Sequence, residues 1–198
     1  YTSTGRTTTG RGNDITALNA LVCGNSNYYQ GPDEVFVFTP TTSGNISITL
    51  TSGSNNVGMM LYNGCPFIGQ GGVCVDNSQS NSGNQFMCDN VIAGNTYYLV
   101  VDRNSNNGIS NYSITITAPT TGLPPGATCA NAIPVTLPFT ATGQSTLCKG
   151  NDYNNSSTGS CASLYESGED MVYSLTVGGP QCISITLSGT SSNQAGFL

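Results

Sequence analysis

The feature that most constrains this chain is that it matches itself. Shifted by 138 positions, Tyr1-Thr2-Ser3-Thr4-Gly5 falls on Phe139-Thr140-Ala141-Thr142-Gly143, and Gly12-Asn13-Asp14 falls on Gly150-Asn151-Asp152. Cys23 then meets Cys161. With one residue dropped, at 137, Asp33-x-Val35-Phe36-x-Phe38-Thr39 falls on Asp170-x-Val172-Tyr173-x-Leu175-Thr176, and Ile46-Ser47-Ile48-Thr49-Leu50 on Ile183-Ser184-Ile185-Thr186-Leu187. Three anchors in one register predict tandem copies of a module about 138 residues long. The expected organisation is a first module over 1–118, a Pro/Gly linker over 119–127, and the N-terminal half of a second module over 128–198. In this register both copies are incomplete. Copy one lacks the counterpart of Thr128 to Pro138, and copy two lacks everything equivalent to Tyr62 onward. The expectation is a chain cut from a longer array, or one whose missing strands come from neighbours.

The pattern inside copy one is that of strands. Ile46, Ile48 and Leu50 alternate with Ser47 and Thr49, and Tyr112, Ile114 and Ile116 alternate with Ser113 and Thr115. Val35–Phe38 and Tyr97–Val101 are unbroken apolar runs, which predict strands central to a packed sheet. Asn107-Gly108 reads as a hairpin dipeptide, and only residues 14–22 hint at a helix. The fold class predicted is all-β: tandem antiparallel β-sandwich modules of jelly-roll or immunoglobulin-like type.

Composition excludes several functions. Four Lys and Arg stand against ten Asp and Glu, for a net charge of −6, so no basic face exists for nucleic acid or anionic lipid. The apolar runs are too short for membrane insertion as a helix. His is absent, which removes Ser-His and Cys-His nucleophile pairs and imidazole metal ligands. A Ser-Lys dyad would rest on Lys149 alone, and the reading is that the chain is not an enzyme. Eight cysteines without tight C-x-x-C pairs predict disulfides and an extracellular or cell-surface location. A start at Tyr1 with no signal segment reads as a mature or excised portion of a secreted precursor.

Several stretches resemble the bacterial pre-peptidase C-terminal (PPC-like) domain. They are Asp33-x-Val35-Phe36-x-Phe38; Leu61-Tyr62-x-x-Cys65 followed by Cys74-Val75-Asp76; Ala93-Gly94-x-x-Tyr97-Tyr98-Leu99-Val100-Val101-Asp102; and Tyr112-x-Ile114-x-Ile116. In copy two, Cys129-Ala130-Asn131-Ala132-Ile133 resembles the family's opening strand, and Asp170-x-Val172-Tyr173 repeats the first stretch. The resemblance implies a sandwich that serves as spacer, adhesive module or accessory to a catalytic domain. It also implies that Cys65 and Cys74, flanking a short Gly-rich loop, are bridged, which leaves Cys23 for Cys88 or for a partner in the missing opening strand. Cys148 and Cys182 have Gly10 and Asn45 at the matching places of copy one, so they are expected to pair, with Cys129 and Cys161 closing copy two.

Other candidates are weaker. Asp102-x-Asn104-x-Asn106 spaces oxygens as a calcium loop does, but it lacks the twelfth-position Glu, and an Asn-rich loop is the plainer reading; no other cofactor is expected. Asn45, Asn111, Asn154 and Asn155 fit the N-glycosylation pattern, and Thr7, Thr8 and Thr9 are candidate O-glycosylation sites. Tyr28 and Tyr29 are candidate platforms for glycans. The function expected is a non-catalytic structural or adhesive repeat protein, self-associating head-to-tail into a surface filament by strand complementation. The alternative is a carbohydrate-binding accessory region of a secreted hydrolase.

Overall fold

The computed structural model describes residues 1–153, 168–190 and Gly196; Cys161, Asn154 and Asn155 lie outside them. The chain splits into two compact units, Tyr1–Gly122 and Leu123–Leu198, with the division inside the Pro/Gly stretch. Among the described residues no helix is long and apolar enough to cross a membrane.

Unit 1 holds eight strands: β1 (Thr2–Arg6), β2 (Glu34–Phe38), β3 (Gly44–Ser52), β4 (Val57–Asn63), β5 (Val73–Gln79), β6 (Gln85–Val91), β7 (Tyr97–Arg103) and β8 (Tyr112–Ile116). They form two antiparallel four-stranded sheets, ordered β1-β8-β3-β6 and β2-β7-β4-β5. The alternating residues of β3 and β8 put Ile46, Ile48, Leu50, Tyr112, Ile114 and Ile116 into the space between the sheets. There they meet Met59 and Leu61 of β4 and Leu99 and Val101 of β7. Each such side chain, fully buried, stabilises the fold by about 1.5–3 kcal/mol.

The second sheet is packed on its outer face too. Met60, Tyr62 and Val100 point away from the sandwich and lie under Ile15, Ala20, Cys23, Tyr28 and Tyr29 of the segment that precedes β2. Burial on both faces explains why β4 and β7 read as unbroken apolar runs. The covering segment is not the helix hinted at over 14–22. The Asn19 side chain accepts from Thr16 N (2.8 Å) and donates to Asp14 O (2.9 Å). Leu21 N and Ile68 N then tie the segment to the 66–68 loop through Pro66 O and Asn19 O. Local side-chain bonds compete with helical ones here.

Two further expectations change. Asn107-Gly108 makes no hairpin, because β7 and β8 belong to different sheets; Gly108 is needed where a Cβ would lie 2.5 Å from Thr9 Cα. Val35–Phe38 is not central either: β2 is the end strand of its sheet.

The disulfide pattern differs from the expected one. Cys23 is bonded to Cys74, with Cα atoms 5.4 Å apart, and staples the covering segment to β5. Cys65 is a free thiol, so neither Cys65–Cys74 nor Cys23–Cys88 stands. The 64–72 loop is instead pinched by backbone, since a Cβ on Gly72 would sit 2.1 Å from Cys65 O. Cys88 and Cys148 are each disulfide-bonded, whereas Cys129 and Cys182 are free, which excludes Cys148–Cys182 and Cys129–Cys161.

In unit 2, β9 (Ile133–Val135) pairs in parallel with β10 (Tyr173–Leu175). Ile183–Leu187, matching β3 in sequence, forms no strand, and its apolar residues are exposed. In unit 1, β3 is bonded on both sides by β6 and β8, whereas among the described residues no strand pairs with 183–187, and a lone strand cannot satisfy its backbone. Local structure nonetheless recurs at the sequence register. Arg11 N donates to Thr8 O (3.0 Å) and Lys149 N to Thr146 O (3.1 Å). Asp33 N donates to Gly12 O (3.1 Å) and Asp170 N to Gly150 O (2.9 Å). Asp33 Oδ2 accepts from Ile15 N and Asp170 Oδ2 from Tyr153 N, both at 2.9 Å. Gly10 and Cys148 share a positive φ, 84° and 67°.

Peptide mapping of the unreduced protein is expected to recover Cys23 linked to Cys74 and Cys65 alkylatable without reduction; a Cys65–Cys74 linkage would contradict the fold. Replacing Cys23 and Cys74 by Ser should lower stability by about 2–4 kcal/mol, read from thermal unfolding.

Candidate functional site

The distinctive place in unit 1 is the flank formed by β2. Strand pairing fixes which of its backbone groups are committed. Gly64 N donates to Thr96 O (2.9 Å), one step beyond the Asn63–Tyr97 pair, so the even-numbered residues of β7 turn their amides and carbonyls to β4. The odd ones, Tyr97, Leu99 and Val101, face β2 and bond Phe38, Phe36 and Glu34. Val35 and Val37 therefore present their N–H and C=O groups away from the sheet. Asp33 N has the same orientation and is satisfied by Gly12 O, but that turn ends the cover. Among the described residues no strand pairs with the outer edge of β2.

The side chains follow the same alternation. Phe36 and Phe38 lean into the sandwich only half-buried, with Phe36 against the Tyr1 ring (6.0 Å) and the Arg6 guanidinium (4.9 Å) and Phe38 against Tyr97 (5.6 Å). Val35 and Val37 face outward, 38% and 57% exposed. Beside them lies a cleft of about 500 Å³ walled by Val35, Ile15, Phe67 and Tyr98, with Arg11 and Asp14 among its polar residues.

Glu34 anchors β2. Its buried carboxylate accepts from Arg6 and from the Tyr112 hydroxyl and pairs with Arg11 at 2.9 Å. Burial alone would push this carboxyl up. The hydrogen bonds from Arg6 and Tyr112 and the charges of Arg6 and Arg11 outweigh it and hold the group below its ordinary value. One carboxylate thus ties β2 to β1 and β8 of the opposite sheet.

The residues singled out from the sequence are dispersed. Tyr28 and Tyr29 are both buried under the outer face, where Tyr29 OH bonds Tyr62 OH (2.5 Å) and accepts from Cys23 N (2.7 Å). They offer no platform to a ligand. Asp102 is fully buried; its Oδ1 accepts from Arg103 N (2.5 Å) and Gly31 N (3.2 Å), while Asn106 is exposed and Asn104 half-buried, with its amide on Asn56 O. No group of three His, Cys, Asp or Glu among the described residues is placed to hold a metal. Thr8 is fully buried, accepting from Ile109 N (2.7 Å), which removes it as a glycan acceptor; Asn111, Thr7 and Thr9 are exposed, and Asn45 is half-buried. The open edge, Arg11 and Phe67 escaped sequence reading. The only signal was a Val-Phe-Val-Phe run with no polar face.

No family model matches the chain, and no curated protein matches it. Solved structures do. The pre-peptidase C-terminal domain of collagenase from Bacillus anthracis is 15% identical over 59% of this chain and 86% of that one, with a TM-score of 0.37. The Yersinia pseudotuberculosis-derived mitogen is 18% identical over 60% and 84%, TM-score 0.38, and the CBM35 module of Cellvibrio japonicus Abf62 is 19% identical over 62% and 94%, TM-score 0.30.

Burial pushes the Asp102 carboxyl up to about 8, the charge of Asp33 adding to the effect and the amides of Arg103 and Gly31 opposing it. Between the ordinary carboxyl value near 4 and about 8, the folded chain holds this proton and the unfolded chain does not, so stability falls as pH rises through that window. Asp102→Asn should flatten the decline in melting temperature from pH 5 to pH 8. An unchanged slope would contradict the assignment.

Proposed function

We propose that this chain is a non-catalytic, extracellular structural module, repeated head-to-tail along a surface filament or stalk. The observation that carries the reading is the recurrence, at the 138- and 137-residue register, of the same backbone and side-chain hydrogen bonds before β2 and before β10. Two stretches that share sequence register and local bonding are read as the openings of two copies of one sandwich. On this reading a second module follows the first in sequence, and further copies would follow in turn. The Cys23–Cys74 bond supports an oxidising compartment, and the net charge of −6 speaks against nucleic acid and anionic membrane surfaces. No catalytic role is read into the flank, where the Glu34 carboxylate is committed to Arg6, Arg11 and Tyr112 and the Asp33 carboxylate accepts from Ile15 N.

A second reading, a glycan-binding accessory region, draws support from the cleft walled by Phe67 and Tyr98. Electron microscopy of the native secreted material tests the first. Thin filaments with a regular axial repeat of modules are expected. Dispersed single modules, together with glycan binding lost in Tyr98→Ala, would overturn it in favour of the second.

A further inference from the structure

We propose that the open edge of β2 receives a parallel strand, the opening strand of another copy of the module, with the chemistry of residues 126–138. The inference rests on the repeat reading above for the identity of the donor, and on backbone geometry for the place. By the 137-residue register, β10 is the counterpart of β2: Tyr173, Ser174 and Leu175 stand where Phe36, Val37 and Phe38 stand. β10 has a strand on the edge that β2 leaves bare. Val172 N donates to Gly126 O (2.7 Å), and Val172 O accepts from Ile133 N (3.0 Å). Val172 is the counterpart of Val35, whose N–H and C=O point outward from β7, so the edge filled in unit 2 is the edge empty in unit 1.

The side chains match as well. Ile133 and Val135 stand opposite Tyr173 and Leu175 in the β9–β10 pair. Transferred to unit 1, they fall opposite Phe36 and Phe38, the two half-buried rings at the flank of the core. Pro134 falls opposite Val37. In a parallel ladder the residues on either side of Pro134 bond the neighbouring strand, so the missing N–H is not needed there. It faces the outer side, where it prevents a further strand from adding. β9 is thus built to end a sheet, whereas β2 carries two exposed valines and unpaired donors that invite a partner. The described residues hold one strand of the β9 type for two acceptor edges, and that strand is already bonded to β10. Among the described residues the edge of β2 thus has no donor, and the proposal assigns that role to a strand of this type from another copy. With it in place, Val35–Phe38 becomes an interior strand, the position for which an unbroken apolar run is suited.

The test uses the full 198-residue chain and a labelled synthetic peptide of residues 124–138 with Cys129 replaced by Ser. Saturable 1:1 binding is expected, with amide exchange at Val35 and Val37 slowed at least about tenfold at saturation. A peptide carrying Ile133→Asp and Val135→Asp should bind at least about tenfold more weakly, and one N-methylated at Val135 should lose binding. All variants lie in the peptide, so the fold of the chain is untouched. Absence of binding at millimolar peptide would overturn the proposal, as would protection confined to Val172 and Ser174, where the peptide would merely replace β9. Filaments without peptide binding would leave the repeat reading standing and remove the strand route. Binding without filaments would sustain the strand route and remove the repeat reading.

Discussion

Every backbone amide and carbonyl in a sheet must find a partner or water, and in the β2-β7-β4-β5 sheet the outer edges of the two end strands, β2 and β5, have no partner strand among the described residues. Its inner face is packed against the opposite sheet, and its outer face is covered over β4 and β7 by the segment over 15–29, which Cys23–Cys74 fastens to β5. The two end strands differ in what lies beside them. One end, β5, is approached by β6 and stapled to the covering segment. The other, β2, ends in two outward N–H groups and two exposed valines.

The anchoring of Glu34 shows why β2 keeps its place despite a bare edge. A strand bonded on one side only would fray, but the buried carboxylate holds it to Arg6 of β1 and Tyr112 of β8 across the sandwich. The turn at Gly12–Ile15 pins Asp33 just before the strand begins. Unit 2 has matching bonds at Gly150, Tyr153 and Asp170. β2 is therefore preorganised: a strand added to it meets a fixed ladder, and little ordering entropy opposes the pairing.

The core was legible in the sequence because alternation is a local property. Ile46, Ile48 and Leu50, and Tyr112, Ile114 and Ile116, read directly as inward residues. Matching turn hydrogen bonds lie at the 138- and 137-residue spacing read from the sequence. Side-chain pairing was less legible. Nothing local in Cys65-x8-Cys74 shows that the loop closes through Gly72 and leaves Cys74 facing the covering segment rather than Cys65. Tyr28-Tyr29 read as exposed aromatics because the second, outer core that buries them is built from a segment without strand or helix periodicity. The Val35–Phe38 run has the composition of an interior strand, and nothing local in it shows that it lies at the end of its sheet.

Native-state amide exchange on the dilute, unassembled chain tests the central point, an anchored β2 with one open edge. The account predicts an alternating pattern: Phe36 and Phe38, bonded to Leu99 and Tyr97, exchange slowly, while Val35 and Val37 exchange at close to the rate of an exposed amide. Slow exchange at all four in the dilute chain would show that the edge is already covered and would contradict the account.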